Sequence, residues 1–269
     1  MKSVLIFILS LMFSNSLLSQ SDTAVLKEFR LHKNNAFSFG ERLSFEISYG
    51  FLTAAEAFMT ISPAPFIYNG RETYEINFDV NSRSSFDLVY KVRDNYKSYI
   101  DTKGIFPWRF EQHIRENQYK RDFEVTFIQE SLKVYTKVNY VEDKSFKVPT
   151  YVQDFISSFY YARTLDFKNY KEGDIIKIPS FNKDKVVDLK IRFEGREVVD
   201  VAAGKFKTFI VKPDLTEGFT SKTSDVYIWI TDDDRKIPVK VKMKIVIGAL
   251  VAELTQYSGL AGPLDSKLE

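Results

Sequence analysis

The sequence of 269 residues contains no cysteine and only two histidines. Without cysteine, the chain can form neither disulfides nor thiolate sites for metals or redox chemistry. Two histidines are too few for a histidine-rich metal cage. The sequence also lacks a G-x-S-x-G motif, a P-loop and a G-x-G-x-x-G motif, which are signatures of serine hydrolases and nucleotide-binding enzymes. We therefore expect no cofactor and no metal requirement for folding.

A strong excess of charge of one sign is also absent. The 38 lysines and arginines nearly balance the 36 aspartates and glutamates, so that the formal net charge is +2. Proteins that bind nucleic acids or acidic membranes usually carry a clear basic excess. The balance therefore predicts no nucleic-acid partner and gives no sign of an acidic-membrane partner.

Long apolar runs are missing except near the N-terminus. Lys2 precedes an apolar run at residues 4–13, and polar and small residues then lead to Ser19. This pattern is typical of a secretory signal peptide at residues 1–19, and the run is too short to span a bilayer stably. We expect cleavage after Ser19 and a mature chain with no transmembrane anchor. Because no cysteine is available for lipid attachment, the expected location is the periplasm or the outside of the cell.

Most of the remaining sequence alternates between apolar and polar residues, which is typical of half-buried strands. Residues 43–49 and 237–247 show this alternation without interruption. Roughly a dozen such segments, joined by short turns, predict a single mainly β domain at residues 39–258. We expect one large antiparallel sheet, strongly curved or barrel-like, because so many strands must curl to protect their edges. Residues 20–38 form a polar leader, and residues 259–269 are expected to be a frayed tail.

One segment, at about residues 150–166, has a helical period instead. Thr150 is the expected N-cap, and Gln153 stands where it can complete a capping box. Phe155, Phe159 and Tyr160 belong to an apolar stripe with helical spacing. We expect this stripe to lie against the concave face of the sheet, with both phenylalanines buried and with Ser158 on the opposite, exposed side.

The candidate site residues lie on this helix. The sequence has 24 phenylalanines and 15 tyrosines, which can serve either ordinary sheet packing or an aromatic-lined cavity. Phe155, Phe159, Tyr160 and Arg163 are therefore the residues that we expect either to line a ligand cavity or to dock the helix on the sheet. For the polar groups of the helix, hydrogen bonds to strand ends are the favoured interpretation.

Two further groups of residues have the composition of a chemical site. Glu111 and His113 lie two apart on a predicted strand, so they share a face. The pair has the composition to bind zinc or transfer protons, but a solvated strand face is the favoured interpretation. Residues 232–234 are consecutive aspartates, which either bind calcium or stabilise a turn.

Paired carboxylates could support hydrolysis of glycosides, for which the distance in space matters more than the spacing in sequence. The sequence singles out no pair. The candidates are Asp94, Asp101, Asp154 and Glu197.

Several stretches resemble a known family, in the order in which they occur along the chain. They are GERLSFEISYG at 40–50, AAEAFMTI at 54–61, YVQDFISSFYYARTLDF at 151–167, GREVVDVAAGKFKTFIVKP at 195–213 and VYIWITDDDRKIPVKVKMKI at 226–245. Together they resemble the exported domain-of-unknown-function family 3108. The resemblance implies a β-rich envelope protein with a signal peptide, and it supplies no catalytic residues.

These observations favour an exported protein without enzymatic activity that binds an apolar ligand or a component of the cell envelope. The expected partner is a hydrophobic small molecule, a lipid or an envelope protein. The sequence leaves two alternatives to this binding function. One is an envelope hydrolase that uses carboxylates, and the other is a scaffold that docks a partner at the edge of its sheet.

Overall fold

The computed structural model describes residues 28–215 and 225–269, which form sixteen strands, one α-helix and a short 3₁₀ helix (Gln129–Ser131). Residues 1–19, with the predicted signal peptide and cleavage site, lie outside the described residues. The strands before the helix are β1 (Arg42–Tyr49), β2 (Leu52–Ile61), β3 (Phe66–Tyr68), β4 (Arg71–Ser82), β5 (Arg93–Asp101), β6 (Pro107–Glu116), β7 (Tyr119–Ile128), β8 (Lys133–Val138) and β9 (Val141–Lys147). Helix α1 (Phe155–Arg163) precedes β10 (Ile175–Asn182), β11 (Lys185–Val201), β12 (Gly204–Pro213), β13 (Val226–Thr231), β14 (Pro238–Lys244), β15 (Ala249–Ser258) and β16 (Lys267–Leu268).

All sixteen strands of the described residues belong to one antiparallel sheet, as the alternating sequence predicts. The strand order is β10-β11-β12-β13-β14-β15-β1-β2-β4-β5-β6-β7-β8-β9, while β3 pairs with β4 and β16 pairs with β12. The sheet is not closed, because β9 and β10 do not pair with each other. The two edges nevertheless face each other, since the rings of Phe146 and Phe181 have centroids 5.3 Å apart. The predicted fold class is confirmed.

The segment between the two edge strands bridges the opening of the sheet. Gln153 forms an isolated parallel bridge with Ser180 of β10, and the Phe181 amide donates to the Gln153 carbonyl at 2.7 Å. Asp154, the residue after Gln153, is held by the other side of the sheet, because Ser98 of β5 donates to it at 2.7 Å. These bonds hold the start of α1 between β5 and β10, over the concave face of the sheet. Within the described residues, no helix is long and apolar enough to cross a bilayer.

The structure corrects the predicted start of the helix. The N-cap is Asp154, not Thr150, and its carboxylate accepts from the Ser157 amide at 2.8 Å while Ser157 Oγ accepts from the Asp154 amide at 2.7 Å. Residues 150–153 cannot join the helix because Tyr151 has a φ of +56° and Gln153 is paired with β10. The capping box therefore exists, four residues later than the sequence predicts.

The predicted burial of the helix is wrong for two residues and only partly met for a third, because Phe159 is half-buried. Phe155 is 42% exposed, although the stripe predicts it to be buried. Ser158 is buried, although it was expected on the exposed side, and its Oγ lies 2.7 Å from Ser180 Oγ of β10. The reason is that α1 packs between β5 and β10, so the helix buries two faces and not a single stripe.

Replacing Ser158 with alanine is therefore expected to lower the free energy of unfolding by about 1–2 kcal/mol, because a buried hydrogen bond to Ser180 is lost. The loss stays at this level because Ser180 keeps its bond to the Ile178 carbonyl at 3.3 Å. Urea denaturation measures the change. Ser145→Ala, at an exposed position of β9, is the control and should change stability by less than about 0.5 kcal/mol. Equal effects of the two variants would contradict the assigned burial.

The end of the chain is also more ordered than a frayed tail. β16 pairs with β12, and the buried Ser266 donates from Oγ to Asp233 at 2.6 Å. Gly259 has a φ of +66°, and a Cβ atom there would lie 2.1 Å from the Gly40 carbonyl oxygen. A glycine is thus required where the last segment crosses the start of β1.

Candidate binding site

The concave face of the sheet has two ends that differ in how they are covered. Because neighbouring strands are antiparallel and mostly joined in sequence, alternate turns lie at the same end. The closed end carries the turns at 101–107, 128–133 and 231–237, and the open end carries those at 49–52, 83–92, 116–119, 138–141 and 244–249. The last turn of α1 and residues 28–41 cover the closed end. For example, the His32 amide donates a hydrogen bond to the Lys103 carbonyl in the turn at 101–107, at 2.7 Å.

Arg163 anchors the helix at the closed end. Its guanidinium donates to both carboxylate oxygens of Glu41, at 2.6 and 2.8 Å, and both side chains are almost fully buried. It also donates to the carbonyls of Ala36 and Arg235. Burial by itself would lower the pKa of Arg163, but the neighbouring Glu41 carboxylate outweighs burial and raises it. Arg163, one of the predicted site residues, is therefore charged, fully hydrogen-bonded and buried in the protein.

Tyr160 lies beside this ion pair and is fully buried. The Arg163 guanidinium is 5.0 Å from the centroid of its ring, and the ring of Phe37 meets it edge-on at 4.8 Å. Burial raises the pKa of the Tyr160 hydroxyl, so the hydroxyl stays neutral. Among the described residues this oxygen has no hydrogen-bond partner of normal geometry, although Glu41 and Arg163 are close. Tyr160 thus belongs to the packed closed end.

Towards the open end, the same concave face becomes less buried. Along β4, Ile76 is fully buried whereas Phe78 and Val80 are half-buried. The same change occurs along β1 from Leu43 to Ile47, and the apolar side chains that are only partly covered pack against the main core. The interior is therefore a filled core at one end and an uncovered apolar surface at the other.

The two phenylalanines of the predicted site lie at this uncovered surface. The ring of Tyr96, which is paired with Phe78 across β4 and β5, is 5.8 Å from Phe78 and 6.1 Å from Phe155. Phe159 is half-buried on the next turn of the helix. We call this surface the open mouth, and it is formed by Ile47, Phe78, Val80, Tyr96, Phe155 and Phe159. The structure thus separates the predicted site residues, with Phe155 and Phe159 in the open mouth and Tyr160 and Arg163 in the packed end.

The turns around the open mouth carry apolar residues that the sequence analysis did not single out. Phe51 is 96% exposed, and the turn of Val246 and Ile247 lies beside it because β1 pairs with β15. Tyr49 links the two turns, since its hydroxyl donates to the Ile247 carbonyl at 3.1 Å. A cleft of about 510 Å³ between them is lined by Tyr49, Gly50, Phe51, Leu52, Lys242, Gly248, Ala249 and Val251. The available signal was the presence of large apolar residues next to Gly50 and Gly248, where turns usually carry polar ones.

The other candidates from the sequence lie elsewhere. His113 is on the convex face, with Nδ1 2.6 Å from Asp122 and Nε2 3.7 Å from Glu111. Arg115 and Arg109 pair with those same carboxylates at 2.7 Å, which makes this a network of alternating charges. No group of three or more metal-ligating side chains capable of holding an ion is found within residues 28–215 and 225–269.

The aspartates at 232–234 act as turn residues. Asp233 accepts from the Thr231 hydroxyl and from the amides of Arg235 and Lys236, and it also binds Ser266. These bonds hold the turn between β13 and β14 and fix the last segment of the chain onto it.

The four candidate carboxylates are each engaged by different neighbours. Asp101 is paired with Arg71 and accepts from Trp108 at 3.2 Å; Asp94 accepts from the Arg115 amide at 2.8 Å. Glu197 accepts from Trp229 at 2.7 Å beside a polar surface cavity of about 190 Å³, and Asp154 caps the helix. These bonds position parts of the fold, and none of them joins two of the four carboxylates to the same partner.

Comparison with known proteins agrees with this architecture. The sequence matches the family DUF3108, described as a protein of unknown function, over residues 44–255. The chain belongs to this family. No curated protein sequence matches it.

Three solved structures are similar to this member of the family. A β-barrel-like protein of domain of unknown function DUF1849 from Brucella abortus has a TM-score of 0.55 at 12% identity, covering 83% of this chain and 99% of its own. A proposed lipoprotein from Parabacteroides distasonis has a TM-score of 0.38 at 11% identity and covers 86% of this chain and 100% of its own. A proposed exported protein with a YmcC-like fold from Bacteroides fragilis has a TM-score of 0.31 at 11% identity and covers 85% and 98%. Of the three, the Brucella structure bears on the fold, and it supports a barrel-like sheet.

Proposed function

We propose that this DUF3108 protein is exported to the periplasm or beyond and binds the apolar chain of a lipid or similar small molecule, without catalysing a reaction. The open mouth supports the proposal. Its aromatic and aliphatic side chains line a concave surface that is left half-covered, and Phe155 is 42% exposed there. Covering apolar surface is favourable by about 25 cal/mol per Å², so an apolar chain gains free energy by lying on it.

The polar groups next to the open mouth fit a binding role better than a catalytic one. Asp154 and Ser98, the nearest buried polar pair, are bonded to each other and to the start of α1. The sheet-edge scaffold is less well supported, because the described parts of β9 and β10 face each other and are bridged by Gln153. The site that remains is apolar, concave and accessible from the open end.

Binding of a dansyl-labelled undecanoic acid to the purified protein tests the proposal. The probe should bind with increased fluorescence, and Phe155→Ser should weaken its affinity by about tenfold, because a phenyl contact in the mouth is lost. The control is Phe66→Ser, since Phe66 is 44% exposed and its ring also contacts a tyrosine ring, but it lies at the other end in β3. The control variant should change the affinity by less than about twofold. Absence of probe binding, or equal weakening by both variants, would contradict the proposed function.

A further inference from the structure

The turns at the open end project large apolar side chains into solvent. We call the turns at 49–52, 86–90, 116–119, 138–141 and 244–249 the tip ring. Phe51, Leu88 and Val246 at their tips are at least 93% exposed, and Ile247 and Tyr140 are also exposed. These five side chains lie on four turns, because Val246 and Ile247 share the turn between β14 and β15, and each turn joins a different pair of strands. Apart from the cleft between the turns at 49–52 and 244–249, the tip ring is therefore a set of separate apolar points.

Such a set of points fits a lipid surface better than a protein surface. A protein partner would need a separate pocket for each protruding side chain, whereas the acyl chains and headgroups of a bilayer rearrange around each one. The tip ring also carries Tyr90, Tyr119 and Tyr140, all exposed. Tyrosine is enriched at the interface between lipid and water because its ring is apolar and its hydroxyl is polar.

Among the described side chains, the exposed charges next to these apolar tips are lysines. Lys91, Lys120, Lys242 and Lys244 are exposed at the strand ends next to the turns. Acidic groups nearby are half-buried and engaged: Asp225 lies 2.7 Å from Lys212 and 3.5 Å from Lys244, Asp87 lies 2.7 Å from Arg93, and Glu116 accepts from the Tyr90 hydroxyl at 2.8 Å. Exposed lysines close to a membrane attract anionic lipid headgroups.

We propose that the tip ring docks the protein on an anionic lipid bilayer, with Phe51, Leu88 and Val246 entering the headgroup region and the lysines facing the headgroups. This docking is separate from ligand binding in the open mouth and does not depend on it. It would, however, place the mouth against the surface from which a lipid chain could enter.

Vesicle flotation tests the docking with a chain that begins at Gln20 and so lacks the apolar run at residues 4–13. The vesicles contain either equal parts of phosphatidylcholine and phosphatidylglycerol or phosphatidylcholine alone. The double variant Phe51→Ser/Val246→Ser should bind the mixed vesicles at least about tenfold more weakly, because two apolar side chains no longer insert. Lys242→Gln/Lys244→Gln should weaken binding to the mixed vesicles by about fivefold or more and leave phosphatidylcholine binding unchanged.

The matched control is Phe66→Ser/Ile67→Ser, which removes two exposed apolar residues of β3 at the closed end. It should not change flotation. Failure of the wild-type protein to bind mixed vesicles, or equal losses in the tip and control variants, would overturn the proposal. So would self-association in analytical ultracentrifugation that the tip variant abolishes without vesicle binding, because the occupant would then be a second copy of the chain. Binding of the dansyl-labelled fatty acid by the tip variant is measured in parallel and tests the open mouth separately.

Discussion

Replacing Arg163 with methionine is expected to lower the free energy of unfolding by about 3–5 kcal/mol, the usual cost of leaving one partner of a buried ion pair without the other. Glu41 is fully buried, and its two oxygens accept from Arg163 at 2.6 and 2.8 Å. Methionine is a long apolar side chain but donates no hydrogen bond, so the Glu41 carboxylate would be left in the core without its partner. The bonds to the Ala36 and Arg235 carbonyls would be lost as well. Urea denaturation near neutral pH, followed by tryptophan fluorescence, measures the change.

Two further variants show whether the loss comes from the ion pair. Glu41→Met/Arg163→Met should recover a large part of the stability, because no charge is then left buried, although the two carbonyls stay unpaired. Lys168→Met is the surface control, since Lys168 pairs with Asp234 at 3.5 Å and both are exposed. It should cost less than about 1 kcal/mol. If Arg163→Met destabilises the protein no more than Lys168→Met, the pair does not anchor the helix.

The sequence predicts the sheet well because the alternation of apolar and polar residues along each strand marks its buried face. It predicts the limits of the strands less well. Residues 237–247 alternate without a break, yet β14 ends at Lys244 and Val246 and Ile247 form an exposed turn. Alternation records which face a residue would occupy and cannot show where its pairing partner ends. For that reason the tip ring could not be found from periodicity.

The helix shows a different limit of the sequence. Its helical spacing is local and was recognised, whereas its burial depends on β5 and β10, which enclose it from two sides. Arg163 has its main partner 122 residues away, at Glu41, and no local pattern indicates that pairing. Phe155 and Arg163 therefore belong to one predicted group in the sequence but to different environments in the fold.

The open mouth depends on where the core stops, which is set by the three-dimensional course of residues 28–41 and of α1. Phe78 and Ile76 have the same apolar character and share one face of β4. They differ in burial because covering elements reach Ile76 and do not fully cover Phe78. Whether an apolar residue is core or binding surface is thus decided by its surroundings.

We expect the difference in free energy of unfolding between Asp154→Asn and the wild type to change with pH. From acid to neutral pH it should shift by about 3 kcal/mol in favour of the variant. Burial raises the pKa of Asp154 from 3.8 to about 6, although hydrogen bonds from the Ser157 amide and the Ser98 hydroxyl act in the opposite direction. Asparagine is as good an N-cap as aspartate and carries no charge. It therefore keeps the cap and removes the titration.

The sign follows from the two pKa values. The folded protein holds the Asp154 proton more tightly than the unfolded chain does, so the protonated carboxyl stabilises the fold most below pH 3.8. This stabilisation is lost as the pH rises to about 6, and above that pH the contribution of Asp154 does not change further. Urea denaturation of both proteins from acid to neutral pH should show their difference growing across this interval. Asp101→Asn is the control with opposite sign: burial alone would raise the pKa of Asp101, but its bonds from Arg71, Gly104 and Trp108 lower it, so this variant should lose stability, relative to the wild type, as the pH rises. A difference between Asp154→Asn and the wild type that does not change with pH would show that Asp154 titrates normally and that water reaches the start of the helix.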